Sequence, residues 1–351
     1  MDEAPGTPFD TIEADTVDTL AALDAPLVIA SNDPPWTTLS QRLPASVDVV
    51  STVPAWDMEL DHLRRTIDDI TTAADPERLG AAVVVGVGGG TALDTAKFLA
   101  WSLDRPLVQV PSITSVDAGF TDAIGVRDGG RVRYIGKLRP RCVVIDLPLI
   151  RSAPRRLNRA GIGDVLSCHT GLFDWRLAAD HGDGHPWDDD LARLGATLLD
   201  ELEAAVDEIA AVSDAGVRFL ADAYRRIGAA CAAAGHSRFE EGSEHFWAYA
   251  YEHATGAHPV HGEIISFAVC AMSHLQQHDP DRAMRIVTRS HARAHPDDLG
   301  ISHDDFVRTL DGLAAYSRAE GLDMAVADYR PITRDAIDDA WSFVCGLTRR
   351  D

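Results

Sequence analysis

Lysine is almost missing from this chain. Of its 32 basic residues, all but Lys97 and Lys137 are arginine. Where arginine is the default cation, a position that stays lysine points to a need for a compact ammonium rather than a planar fork. Positive charge as a whole is scarce: 55 acids leave a formal net charge of −23. That balance argues against nucleic-acid binding, which needs a basic footprint. It fits a surface adapted to high salt or an ordinary solvated exterior. No apolar run approaches the length of a membrane span, and the acidic start Met1-Asp2-Glu3 is the opposite of a signal peptide's n-region. A cytoplasmic location is therefore expected, with no membrane partner. The five cysteines (Cys142, Cys168, Cys231, Cys270, Cys345) form no Cys-x-x-Cys pair. They read as reduced, mostly buried small hydrophobes rather than a disulfide framework or a zinc knuckle.

At 351 residues the chain is long for one core, so two domains are the default. In the first part, apolar runs at 26–31, 47–53, 81–85, 106–111 and 141–146 read as strands, and 58–74 as a helix. Asp128-Gly129-Gly130 reads as a hairpin turn. Strand–helix–strand repetition predicts an α/β, Rossmann-like domain over 1–153, with a mainly parallel sheet and helices on both faces. From about Pro154, helical periodicity dominates: 155–179, 188–212, 214–234, 242–254, 262–277, 303–320 and 333–348. An all-α domain over 154–351 follows, with His181–Asp190 as a solvated acidic loop. The first 15 to 20 residues are expected to be loosely ordered, and no internal repeat is present.

The most informative stretch is Gly86–Lys97, GVGGGTALDTAK. It joins an apolar strand to a helix. Consecutive glycines there let backbone N–H groups approach a ligand, and the helix start adds partial positive charge, so a phosphate or pyrophosphate is the natural guest. Close strand–helix packing is the plainer explanation of the glycines. The spacing is neither Gly-x-Gly-x-x-Gly, since Thr91 takes the last place, nor a Walker loop.

Three segments of the helical half hold candidate metal ligands. Asp164 follows a glycine pair, His245 sits in Gly242-Ser243-Glu244-His245, and His261 opens His261-Gly262-Glu263. One carboxylate and two imidazoles at helix starts can converge on a divalent ion, with Zn or Fe suited to the set. Spacing alone does not select these histidines over His253, His258, His274 or His278.

The order of these segments resembles the iron-containing alcohol dehydrogenase and dehydroquinate synthase superfamily, and most of all its sn-glycerol-1-phosphate dehydrogenase branch. The matching stretches are 86–97, 110–120 (VPSITSVDAGF), 135–147 (IGKLRPRCVVIDL), 160–175 (AGIGDVLSCHTGLFDW), 242–245 and 261–263. The resemblance implies Asp164, His245 and His261 as metal ligands. It implies Gly88, Gly89 and Gly90, with Thr91, as the pyrophosphate turn, and Asp94 and Lys97 lining the cofactor cleft. Thr114 and Ser115 would lie near the nicotinamide ribose, and Asp117 and Lys137 would face the substrate as catalytic residues. Asp117 can accept hydrogen bonds from hydroxyls, and Lys137 is a point charge for a phosphate or an alkoxide. Asp33 can bind adenosine ribose hydroxyls and repel a 2′-phosphate, favouring NAD over NADP; it also fits an Asx turn.

The reaction so implied is metal-dependent, NAD(P)-linked hydride transfer to or from a small polyol or hydroxyketone, glycerol 1-phosphate and dihydroxyacetone phosphate among them. The same resemblance implies a homo-oligomer. The rival readings are a sugar-phosphate cyclase of the dehydroquinate synthase type and a non-catalytic nucleotide-binding protein. Asp164 and the shortage of lysine point away from the cyclase. Two positions depart from the branch pattern: Phe239-Glu240-Glu241 stands where a Pro-Ala-Ser-like run is typical, and Phe246 where a second histidine is frequent. Extra carboxylates beside the site would repel an anionic phosphate unless both point outward.

Overall fold

The computed structural model describes residues 10–350, so the acidic start Met1-Asp2-Glu3 lies outside the described residues. Eight strands form among the described residues: β1 (Asp10–Glu13), β2 (Leu27–Ser31), β3 (Val49–Pro54), β4 (Val83–Gly88), β5 (Leu107–Pro111), β6 (Ala123–Asp128), β7 (Arg131–Lys137) and β8 (Cys142–Ile145). Six of them make a parallel sheet in the order β1-β8-β5-β4-β2-β3. Alternation along β2 divides its side chains between two cores. Val28 and Ala30 pack with Val84, Ala96 and Leu99, while Leu27 and Ile29 pack with Val83, Val85 and Val110. A sheet covered on both faces needs near-continuous apolar strands, and every residue of β2, β4 and β5 is buried. Each buried Val, Leu or Ile contributes about 1.5–3 kcal/mol of transfer free energy, so these strands anchor the unit.

β6 and β7 pair as an antiparallel hairpin whose turn places Gly129 at φ +59° and Gly130 at +74°, the two positive values a tight hairpin turn requires. From Asp10 on, the first 20 residues are more ordered than expected. β1 pairs with β8, and the buried Asp146 carboxylate accepts both the backbone N–H and the hydroxyl of Thr16, at 2.9 and 2.8 Å. A cap supplied from 130 residues away leaves no local trace in sequence.

Beyond β8 no strand occurs among the described residues. The α/β-then-helical order is the one expected. The single helix expected over 155–179 is instead three: Arg155–Arg159, Ile162–Leu166 and Cys168–His181. Gly161 and Gly163 weaken the continuous helix. The helix Pro280–Ser290 was not anticipated, although Pro280 at its first position and the Asp279 side chain accepting from Arg282 N–H are ordinary start signals. The acidic loop is held by ring contacts: His185 stacks on His236 at 4.2 Å, and Trp187 packs at a tilt on Trp175 at 4.7 Å. All five cysteines are free, but only Cys168 and Cys270 are buried and Cys345 is exposed. No helix among the described residues is long and apolar enough to cross a membrane.

The chain divides into two compact units, one running through Pro154 and including Tyr224–Ala233, the other comprising Arg155–Ala223 and the chain from Ala234 on. Within the first unit, Tyr224 donates its hydroxyl to the Thr114 carbonyl at 2.8 Å and packs on Phe120 at 5.6 Å. Gly228 is pressed on the same loop, where a Cβ would lie 1.9 Å from the Phe120 carbonyl oxygen.

Candidate active site

In the helical unit, glycines decide how closely the site's helices approach. A Cβ on Gly163 would fall 2.6 Å from the Gly262 carbonyl oxygen, and one on Gly242 would fall 2.9 Å from Gly171 Cα. The first contact sets Ile162–Leu166 against the start of the helix His261–Gln276. The second sets Cys168–His181 against the turn that opens the helix Ser243–Thr255. Asp164, His245 and His261 are thereby gathered, with one ligand atom from each within 4.8 Å of the others. His261 Nε2 lies 3.3 Å from Asp164 Oδ1, near enough for one ion to be held by both.

A carboxylate behind the first histidine sets its tautomer. Glu244 is fully buried; Gly242 N–H donates to it at 2.7 Å and the Thr170 hydroxyl at 2.6 Å, while His245 Nδ1 lies 2.9 Å away. With the carboxylate acting as acceptor throughout, Nδ1 carries the hydrogen and the Nε2 lone pair is left for an ion. Glu263, also fully buried, is gripped by the Arg156 guanidinium at 2.6 and 2.7 Å, which anchors the turn bearing His261. Asp174 accepts from Ser243 N–H, Gln276 Nε2 and Val326 N–H at 2.8, 3.1 and 2.7 Å, tying three segments to one point.

The field of the site favours a cation. Burial opposes the charged form of His245, yet the hydrogen bond and charge of Glu244, with Glu241 and Glu240, raise its pKa to about 10. The helix starts carrying His245 and His261 each bring about half a positive charge, too little to offset these carboxylates. The same negative field favours a divalent ion, and the donor set of two imidazole nitrogens and one carboxylate oxygen fits Zn or Fe.

In the α/β unit, Gly88 adopts φ +151°, a conformation few side chains accept. Cβ atoms on Gly88, Gly89 and Gly90 would fall 2.4–2.8 Å from Asn32, Ile113 and Val116 side chains, so all three glycines are needed for packing as well. The helix Gly90–Leu103 has no side-chain cap at its start. Its first N–H groups therefore remain suited to an anion.

Residues 28–154 match the iron-containing alcohol dehydrogenase family. The glycerol-1-phosphate dehydrogenase [NAD(P)+] of Sulfolobus acidocaldarius is 31% identical over 231 residues, 66% of this chain and 66% of that protein. The protein of the same name from Thermofilum pendens is 31% identical over 235 residues, 66% of this chain and 67% of its own length. This chain belongs to the iron-containing alcohol dehydrogenase family. The fold agrees: a probable glycerol dehydrogenase from Sinorhizobium meliloti superposes with a TM-score of 0.73 over 98% of both chains, at 23% identity. By family, this iron-containing alcohol dehydrogenase is an NAD(P)-linked oxidoreductase that uses a divalent metal.

The other expected site residues of this dehydrogenase fall into two groups. Thr114 and Ser115 are buried in the loop after β5, Asp117 precedes the short turn Ala118–Phe120, and Thr91 is half-buried in the first turn of the glycine helix. Asp33 is exposed and accepts the Thr37 hydroxyl at 2.5 Å. The two lysines meet the same segment. Lys97, 1% exposed, reaches Asp94 at 2.7 Å, the Thr121 hydroxyl at 3.3 Å and the Ala123 carbonyl at 2.6 Å. Lys137 is 57% exposed, its ammonium 4.0 Å from Asp122.

Sequence reasoning missed Glu244, Glu263, Arg156 and Asp174. The polar residues beside each histidine were the available signal. It also left open whether Glu240 and Glu241 point outward, and they do not. Phe239 is fully buried and Glu240 is 8% exposed. Glu241 accepts the Ser237 hydroxyl at 2.5 Å on one oxygen and the Tyr249 hydroxyl at 2.7 Å on the other.

Proposed function

We propose that this dehydrogenase interconverts a small polyol and its hydroxyketone at a divalent ion held by Asp164, His245 and His261. The observation that carries the reading is the convergence of those three side chains, with the His245 tautomer set by Glu244. When bound, the ion supplies Lewis-acid polarisation of an oxygen and the nicotinamide supplies or accepts hydride.

The chain's own residues do the rest. Glu244 and Glu263 hold the two imidazoles in place through His245 Nδ1 and the Arg156 clamp. The turn Gly88–Thr91, with the uncapped helix start at Gly90, receives the pyrophosphate, and Asp33 takes the adenosine ribose, which favours NAD. Thr114 and Ser115 bound the nicotinamide side. Asp94 borders the cofactor, and Lys97 acts through it, since its ammonium is buried on Asp94, Thr121 and Ala123. Asp117 accepts from substrate hydroxyls, and the exposed Lys137 offers a charge to an anionic or alkoxide oxygen. The names of the Sulfolobus and Thermofilum relatives support glycerol 1-phosphate as the substrate type. Five free cysteines support a reducing, cytoplasmic setting, and a homo-oligomer is the expected assembly.

The test is a reductase screen of protein loaded with Zn²⁺ or Fe²⁺, using NADH and NADPH over dihydroxyacetone, its phosphate and small aldehydes. Metal-dependent loss of NADH absorbance is expected. If no NADH binding is seen by fluorescence at saturating metal, the reading is lost.

A further inference from the structure

We infer that Trp56 is the platform on which the adenine ring of the dinucleotide stacks. The inference rests on the proposed placement of the pyrophosphate at Gly88–Thr91 and of the adenosine ribose at Asp33, and carries it on to the base. Trp56 is 75% exposed, more than any other large apolar side chain among the described residues. Exposure alone says little, since single apolar side chains are common on surfaces. Its place in the sheet says more.

Ligands of open parallel sheets sit beyond the carboxyl ends of the strands, and three neighbouring strands end here in register. Ser31 of β2 pairs with Val87 of β4 on one side and with Pro54 of β3 on the other. The Ser31 hydroxyl donates to the Val87 carbonyl at 2.7 Å, and Ala55 N–H donates to the Ser31 carbonyl at 2.7 Å, so the alignment holds to the strand ends. Just past those ends come the glycine turn, Asp33 and Trp56, in that order across the edge. A Cβ on Gly88 would meet the Asn32 side chain, so the first two of these are in direct contact. With strands about 4.8 Å apart, the chain at Trp56 leaves the sheet about 10 Å from the glycine turn, with Asp33 between them. A dinucleotide has the same order: pyrophosphate, then ribose, then adenine.

The indole is also mounted. His62, in the first turn of the helix Leu60–Ala73, meets it at a right angle with centroids 5.5 Å apart. Asp57 fixes that imidazole, its Oδ1 lying 2.9 Å from His62 Nδ1 and accepting Glu59 N–H at 3.0 Å. One ring neighbour at a right angle leaves a face of the indole open. A flat base on that face removes both rings from water.

The experiment titrates the full chain with ADP-ribose, which carries adenine, ribose and pyrophosphate but no nicotinamide, and in parallel with NADH. Calorimetry and indole emission are read for wild type, Trp56→Ala and Trp56→Tyr. The side chain lies largely outside the core, so both variants are expected to fold, and thermal melts check this. Trp56→Ala is expected to bind both ligands about tenfold or more weakly. Trp56→Tyr should retain most of the affinity, and quenching of indole emission by ADP-ribose should shrink in both variants. Equal affinities in all three proteins would overturn the inference; a changed sedimentation coefficient beside them would assign Trp56 to a contact between copies of the chain. The parent reading fails differently. If ADP-ribose binding depends on Trp56 while no polyol or ketone is turned over, stacking stands and the proposed reaction falls. A wild type that binds neither ligand removes both.

Discussion

Gly163 and Gly262 meet backbone to backbone, so that a Cβ on the former would lie 2.6 Å from the carbonyl oxygen of the latter. The neighbouring residues are the proposed ligands Asp164 and His261, 3.3 Å apart. Gly163→Ala must part the two helices. It is expected to destabilise the protein by about 1–3 kcal/mol, as overpacking does, and to weaken metal binding more than that loss alone implies. Thermal melts with and without chelator, together with metal content, measure both. Full metal retention by a destabilised variant would separate the helix contact from the site.

Metal binding draws on the folded state alone, so its removal is expected to lower the melting temperature. At an ion concentration 100-fold above Kd the contribution is about 2.7 kcal/mol. Asp164→Ala and His261→Ala should melt at nearly the same temperature with or without EDTA, unlike wild type. A chelator effect of wild-type size in both variants would place the ion elsewhere.

His169 supplies a pH signature apart from the proposed metal ligands. Burial, then the charge of His278, lower its pKa from 6.5 to about 4. The unfolded chain therefore binds this proton more readily than the folded one. Its contribution is complete above 6.5 and is lost as the pH falls toward 4, amounting to roughly 3 kcal/mol across the window. Asp174 acts in the opposite sense, because burial raises its pKa from 3.8 to about 6 and acid favours its folded form. The informative quantity is thus the difference between wild type and His169→Gln in denaturant midpoint from pH 7 to 5. Parallel curves would show that His169 does not titrate with unfolding.

Lys97→Met tests the buried ammonium. Removing it leaves Asp94, 16% exposed, without its ion pair, and deprives the Thr121 hydroxyl and Ala123 carbonyl of a donor. A loss of about 3 kcal/mol is expected, with weaker NADH binding as Asp94 and the β6 segment shift. Lys97→Arg should not rescue, since a planar fork does not fit where a compact charge is enclosed. Wild-type melting and cofactor affinity in Lys97→Met would refute the buried clamp.

Much of this architecture was legible because local pattern and tertiary demand coincide. β2, β4 and β5 are apolar throughout and buried throughout, and Gly129-Gly130 takes the positive φ values its turn needs. What escaped depends on distant partners. The strand at Asp10–Glu13 exists because β8 pairs with it, and Thr16 is capped by Asp146. The break of the helix at Gly161–Gly163 reflects the approach of Gly262. Around the proposed metal ligands the same division holds. The histidine and aspartate segments stood out as motifs, whereas Glu244, Asp174 and Arg156 have roles only through side chains distant in sequence, such as Thr170, Gln276 and Glu263.

Tyr224–Ala233 closes over the loop after β5, through the Tyr224 hydroxyl on Thr114 and Gly228 on Phe120. During synthesis the whole stretch Arg155–Ala223 must leave the ribosome before that loop is covered. The α/β unit is therefore not an autonomous N-terminal fragment. A polypeptide ending at Pro154 lacks its own last piece, and the nascent chain completes the loop after β5 only after much of the helical half has emerged.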